Sequence, residues 1–107
     1  MEVRESMKKI LLVCSSGMST SMLVRAMQKV ADTEGYDVKI ESAGIAGIED
    51  LLKDADAVLA GPQIRHRFDS LKEMASALGK PAELVPQHVY GLMDGKAAIE
   101  LVKKMLG

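Results

Sequence analysis

The chain's only cysteine, Cys14, stands where an apolar run, Ile10-Leu11-Leu12-Val13, gives way to Ser15, Ser16, Gly17, Met18, Ser19, Thr20 and Ser21. A thiol reacts as its thiolate, and that form is favoured where backbone N–H groups and the positive end of a helix converge. The same groups bind anions, phosphate above all. Gly17 would let backbone approach a ligand closely, and the hydroxyls of Ser15, Ser16, Ser19, Thr20 and Ser21 add donors. A thiolate inside an anion cradle can attack phosphorus, or hold a phosphoryl group once it has been transferred. A lone cysteine at a strand end can also be a small core residue, and one of Ser19 or Thr20 reads as a helix cap. The composition and position of the loop favour chemistry.

The elements that must position this loop follow from hydrophobic pattern. A continuous apolar strand is expected over Lys8 to Cys14, covered on both faces. A helix from about Ser19 to Glu34 carries Met22, Leu23, Ala26, Met27, Val30 and Ala31 at helical spacing and stops at Gly35. Tyr36 to Ser42 alternates polar and apolar, which suits an edge strand with one wet face. A short helix follows, with Ile48, Leu51 and Leu52 inward. Ala57 to Gly61 is again continuous and apolar, hence central. A helix from about Arg65 to Leu78 carries Phe68, Leu71, Ala75 and Leu78. "AELVP" is a short fourth strand. Asp94 caps a final helix whose inner stripe is Ala98, Leu101, Val102 and Met105.

Alternating strands and helices predict an α/β fold: a single three-layer domain, a four-stranded parallel sheet with helices on both faces. Central first and third strands with right-handed crossovers give the order 2-1-3-4. The order then reverses between strands one and three, and ligands bind beyond the carboxyl ends of the strands at such a point. The Cys14 loop, the Gly61-Pro62-Gln63 loop and the connection around Gln87 to Gly91 all belong to that end.

Composition narrows the function. The 107 residues are 48% hydrophobic and 27% charged, with net charge −1. The mixed charges give no footprint for nucleic acid or an anionic membrane, and Tyr36, Tyr90 and Phe68 are too few for a base-stacking surface. No apolar run approaches the ~20 residues of a membrane span. Residues 1–7 read as a polar tail rather than a secretory signal, with the domain proper over 8–107. One cysteine cannot form an internal disulfide, which points to a reducing, cytoplasmic compartment. There is no nucleotide-binding Gly-Lys-Ser/Thr loop and no convincing metal-ligand cluster, so no cofactor or metal is expected. The eight methionines read as core filler.

Two families share the layout. Low-molecular-weight tyrosine phosphatases place an arginine six residues after the cysteine, where this chain has Thr20, and an Asp-Pro pair in a late loop, which this chain lacks. Phosphoester hydrolysis needs both the guanidinium clamp and the acid. "LLVCSSGMSTSMLVRAMQ" instead resembles the phosphorylation loop of enzyme IIB of the bacterial sugar phosphotransferase system, lactose/cellobiose/chitobiose class. "LAGPQIR" resembles its stretch after the third strand, and "VYGLMDGKAAI" its tyrosine-containing loop and last helix. The resemblance spans nearly the whole chain from Lys8. It implies a phosphatase-like topology and a phosphohistidine–sugar phosphotransferase component. Cys14 would accept a phosphoryl group from phosphohistidine of enzyme IIA, and pass it to a sugar, such as cellobiose or chitobiose, held by membrane enzyme IIC. It also implies a cytoplasmic protein, peripheral to the inner face of the membrane through enzyme IIC. A departure stands at Pro86-Gln87, where members often carry an acidic residue.

Other residues keep two readings. Gln63 either reaches the phosphate or a partner, or bonds within its loop. Tyr90 either faces the Cys14 loop or packs on the last helix. His66 reads as a surface residue between Arg65 and Arg67, which dock an acidic partner or merely solvate a helix. His88 lies nearer the sheet's carboxyl end, but a direct catalytic role for it is disfavoured. The rival functions are a small cysteine phosphatase or arsenate reductase, and a phosphate-sensing regulatory module.

Overall fold

A computed structural model describes residues 7–15 and 20–107. The elements run β1 (Lys8–Cys14), α1 (Thr20–Glu34), β2 (Val38–Gly44), α2 (Glu49–Asp54), β3 (Ala57–Ala60), a 3-10 segment (Pro62–Arg67), α3 (Phe68–Ala77), β4 (Ala82–Leu84), α4 (Gln87–Gly91) and α5 (Gly95–Leu106). The strands form one parallel sheet in the order β2-β1-β3-β4, the order expected from strand character. Cys14 is in register with Gly44, and Val13 with Ala60.

Side-chain alternation along β1 splits the interior in two. Ile10 and Leu12 pack with Val38, Ile40 and Leu59 beneath Leu23, Met27 and Ala31 of α1 and Ala98, Ile99 and Val102 of α5. Leu11 and Val13 pack on the other face with Val58 and Ala60, beneath Leu52 of α2 and Leu71 and Ala75 of α3. Each fully buried leucine or isoleucine contributes about 1.5–3 kcal/mol relative to exposure, and β1 supplies such residues to both layers. The strand that ends at Cys14 is therefore held from both sides.

Several expectations need correction. β2 begins two residues after Tyr36, because Gly35 adopts φ +69 and the Tyr36 N–H bonds back to the Ala31 carbonyl, which turns the chain. It runs on to Gly44, in step with Cys14. The helix expected from Arg65 begins only at Phe68, after the 3-10 segment. Met22, Leu51 and Leu78 point outward, 60%, 45% and 42% exposed. Met22 lies in the first turn of α1, Leu78 is the C-cap of α3, and the six-residue α2 buries only a narrow face through Leu52. In α5, Ile99 takes a core place, while Leu101 and Met105 are half-buried.

Two side chains close the structure around α1. Gln28 donates to the Val38 carbonyl at 3.0 Å and accepts from the Ile40 N–H at 2.9 Å. Its amide stands where one residue of a fifth parallel strand would, on the outer edge of β2. Glu34, at the other end of α1, binds Lys96 and Lys103 of α5, each at 2.7 Å. Hydrogen bonds from Lys103 and then Lys96 lower the Glu34 carboxyl from its ordinary 4.5 to about 2. A depressed folded-state pKa contributes stability that is present above the unfolded value and lost as pH falls through the folded one. Wild type is thus expected to be more stable than Glu34→Gln above pH 4.5. Urea titrations at successively lower pH should show the difference vanishing as pH approaches 2.

The start of α5 is fixed by Asp94, whose side chain accepts from the Ala97 N–H at 3.0 Å, the cap the sequence predicts. Gly95 follows, buried against α1. A Cβ there would lie 2.5 Å from the Ala26 carbonyl oxygen and 2.9 Å from the Met27 nitrogen, so only glycine lets the helices approach this closely.

Candidate phosphoryl-transfer site

The site is assembled from backbone at the carboxyl end of the sheet. The Gly61 N–H donates to the Val13 carbonyl, the Ile45 N–H to Cys14 and the Val85 N–H to Ala60, each at 2.8 Å. The segments leaving β2, β3 and β4 are thus tied to their neighbours where the order reverses between β1 and β3. Cys14, the last residue of β1, is 1% exposed. The chain leaves it through exposed Ser15, and α1 starts at Thr20.

Gly61 adjoins the cysteine. An ideal Cβ built on it would lie 3.6 Å from the Cys14 Cβ, 3.6 Å from the Val13 carbonyl oxygen and 2.6 Å from Gln63 Oε1. The Gln63 carboxamide oxygen therefore folds back against Gly61, whose Cβ position also adjoins Cys14. Pro62 opens the 3-10 segment, and the Ile64 N–H bonds to the Gly61 carbonyl at 3.1 Å, which makes this a tight turn.

Beside it lies a cleft of about 400 Å³ lined by Pro62, Gln63, Arg65, Gln87, Tyr90 and Gly91. The loop after β3 supplies one wall and α4 the other. The two sequence-predicted accessory residues, Gln63 and Tyr90, thus share a cleft. Among the described residues, Arg65 is the one cationic side chain on its wall, and none is acidic. Electrostatically the cleft suits an anionic or hydrogen-bonding guest.

The remaining sequence candidates fall as follows. Ser21 is half-buried in the first turn of α1. Ser16, Gly17, Met18 and Ser19, and the Thr20 side chain, lie outside the described residues. His66, Arg67 and His88 are exposed and are absent from the cleft wall. Among the described residues no group of three or more His, Cys, Asp or Glu could hold a metal ion, and no helix is long and apolar enough to cross a membrane. Sequence reasoning placed Gly61 and Gln87 in loops at this end of the sheet but gave neither a role in the site. Their placement at the carboxyl ends of strands three and four was the signal.

The sequence pattern described as "PTS system, Lactose/Cellobiose specific IIB subunit" matches residues 9–101. The chain belongs to that IIB family. As such it is a component of a sugar phosphotransferase system, and a phosphotransferase. The IIB chain is 42% identical over 94 residues to the PTS system oligo-beta-mannoside-specific EIIB component of Bacillus subtilis (strain 168), covering 88% of this chain and 91% of that one. It is 30% identical over 97 residues to the PTS system lactose-specific EIICB component of Staphylococcus epidermidis. That alignment covers 89% of this chain but 17% of the longer protein. The lactose-specific IIB component domain of Streptococcus pneumoniae superposes with a TM-score of 0.86 over 94% of this chain and 99% of that one. At 19% identity that likeness speaks for the fold alone, the phosphatase-like arrangement of this IIB chain.

Proposed function

We propose that Cys14 is the phosphoryl carrier. Its thiolate attacks the phosphorus of a phosphohistidine on enzyme IIA, the N–P bond breaks as the S–P bond forms, and neutral imidazole leaves after taking up a proton. In the second step a sugar hydroxyl held by membrane enzyme IIC attacks the same phosphorus. The S–P bond breaks, the thiolate is regenerated and the hydroxyl proton passes to the acceptor side. The sugar is a β-linked disaccharide such as cellobiose or chitobiose. Residues 8–107 carry this activity, with 1–7 as a polar tail, at the cytoplasmic face of the membrane.

The observation that carries the reading is the placing of Cys14. It ends a strand buried on both faces, at the sheet's switch point, against Gly61 and near a cleft lined among the described residues by Gln63 and one charged side chain, Arg65. A buried, backbone-anchored nucleophile needs little reorganisation as charge moves through the transition state. Ser15 to Ser21 would hold the phosphoryl oxygens, with Gln63 and Tyr90 as accessory contacts. The EIICB form of the Staphylococcus relative supports a membrane IIC acceptor, and the relatives' names for oligo-β-mannoside and lactose support a β-linked sugar.

Incubation with phosphoenolpyruvate, enzyme I, the histidine phosphocarrier and a cellobiose-class enzyme IIA should add one phosphoryl group by intact mass, and none when enzyme IIA is omitted. No gain together with hydrolysis of p-nitrophenyl phosphate would make the protein a phosphatase instead. A carrier must also keep the group from water. Thr20 occupies the position of the phosphatase arginine, so Thr20→Arg is expected to divert phosphoryl groups to hydrolysis and slow transfer to sugar. Sugar phosphate formation at the wild-type rate would overturn that account of Thr20.

A further inference from the structure

We infer that Gly61 is a positioning residue for phosphoryl transfer: its missing side chain is what allows the Gln63 carboxamide to lie beside Cys14. The inference rests on Cys14 as carrier and concerns a residue that makes no polar side-chain contact of its own.

Backbone conformation does not demand glycine here. Gly61 has φ −69 and ψ 153, an extended geometry open to every L residue. Space demands it, and in one direction only. The 3.6 Å separations of an added Cβ from the Cys14 Cβ and the Val13 carbonyl are ordinary contacts, whereas 2.6 Å from Gln63 Oε1 is not. The position a Cβ would take thus adjoins both the carboxamide oxygen and Cys14. Alanine would leave β1, β3 and Cys14 where they are, and push out the end of the Gln63 side chain.

The atom held against Gly61 is the carboxamide oxygen; the inferred consequence for chemistry is that the NH2 on the same carboxamide, a neutral donor, serves a phosphoryl oxygen on Cys14 without adding charge. A hydrogen bond to a charged acceptor is stronger than a neutral one, so losing it should slow the chemical step roughly tenfold. Ground-state docking of the donor protein would be unaffected.

The test is a double-mutant cycle read by single-turnover transfer from phosphorylated enzyme IIA, using the full chain. Gly61→Ala and Gln63→Ala are each expected to slow the step about tenfold, at an unchanged half-saturating concentration of donor. The double variant should be no slower than Gln63→Ala, because the methyl then has nothing to displace. Thermal midpoints and the rate of Cys14 alkylation by iodoacetamide should match wild type in Gly61→Ala, which separates lost positioning from damage to the fold. Wild-type rates in Gly61→Ala, or additive losses in the double variant, would overturn the inference while leaving the carrier role of Cys14 intact. Absence of phosphorylation in wild type would overturn the carrier reading itself, and this inference with it.

Discussion

Cys14→Ser is expected to abolish phosphorylation by the enzyme I–phosphocarrier–IIA cascade, with a loss on the order of 10³-fold or more, the scale that follows removal of a nucleophile. Serine keeps the shape, so the buried strand end is not opened to a cavity. What it loses is an accessible anion: a thiol ionises near pH ~8.5, whereas an unassisted hydroxyl stays protonated at neutral pH. His66 and His88 are exposed and off the cleft wall. Intact mass decides it: one added phosphoryl group on wild type and none on Cys14→Ser. A phosphoryl group mapped in Cys14→Ser to a residue other than 14 would move the carrier role there.

The largest expected effect on stability is at Gly95. Alanine is the better helix former by up to about 1 kcal/mol, and that gain is smaller in a helix's first turn. Against it stands a Cβ 2.5 Å from the Ala26 carbonyl oxygen and 2.6 Å from its carbon. Both are backbone atoms of α1, which cannot swing away as a side chain can. Relief requires α1 and α5 to part along the layer that buries Leu23, Met27, Ala98 and Val102. Overpacking of this kind costs about 1–3 kcal/mol and more where backbone must move, so Gly95→Ala should lower stability by about 3 kcal/mol. For a domain of this size that is a fall in Tm on the order of 10 °C, readable by circular dichroism. Gly91→Ala is the matched control, since nothing lies within 4 Å of its Cβ position. Equal melting of the two variants would show that the helices are not in such close contact.

The sequence reads well wherever burial is two-sided or periodic over a long stretch. Ile10 to Val13 and Ala57 to Ala60 are apolar without interruption because both faces are covered, and that alone ranks them as central and yields the strand order. The alternation of Val38 and Ile40 with Lys39 and Glu41 marks the edge in the same way. The pattern fails where an element is short or ends. Leu51 and Leu78 are apolar but stand on the flank of a six-residue helix and at a C-cap, where one turn decides the facing. The five-residue α4 has one fully buried side chain, Val89, and no side-chain cap, so no periodicity announced it. In the site, residue type exposed Cys14, its hydroxyl-rich loop and Gln63. It could not expose Gly61, whose importance lies in the fold-back of Gln63 across it, or Gly95, which is approached by α1, far away in sequence. Gly95 belongs to the "MDG" stretch that carries part of the resemblance, and its part in the fold is contact with α1 rather than chemistry.

The Gln28 amide has a consequence for how this protein can meet others. It donates to and accepts from β2 at the two groups that a visiting strand would use first. β-augmentation at this border would have to displace a hydrogen-bonded side chain anchored on α1 before gaining its own ladder. With that border occupied, the carrier role proposed for Cys14 predicts end-on encounters, in which donor and acceptor approach the carboxyl end of the sheet in turn rather than pairing along β2.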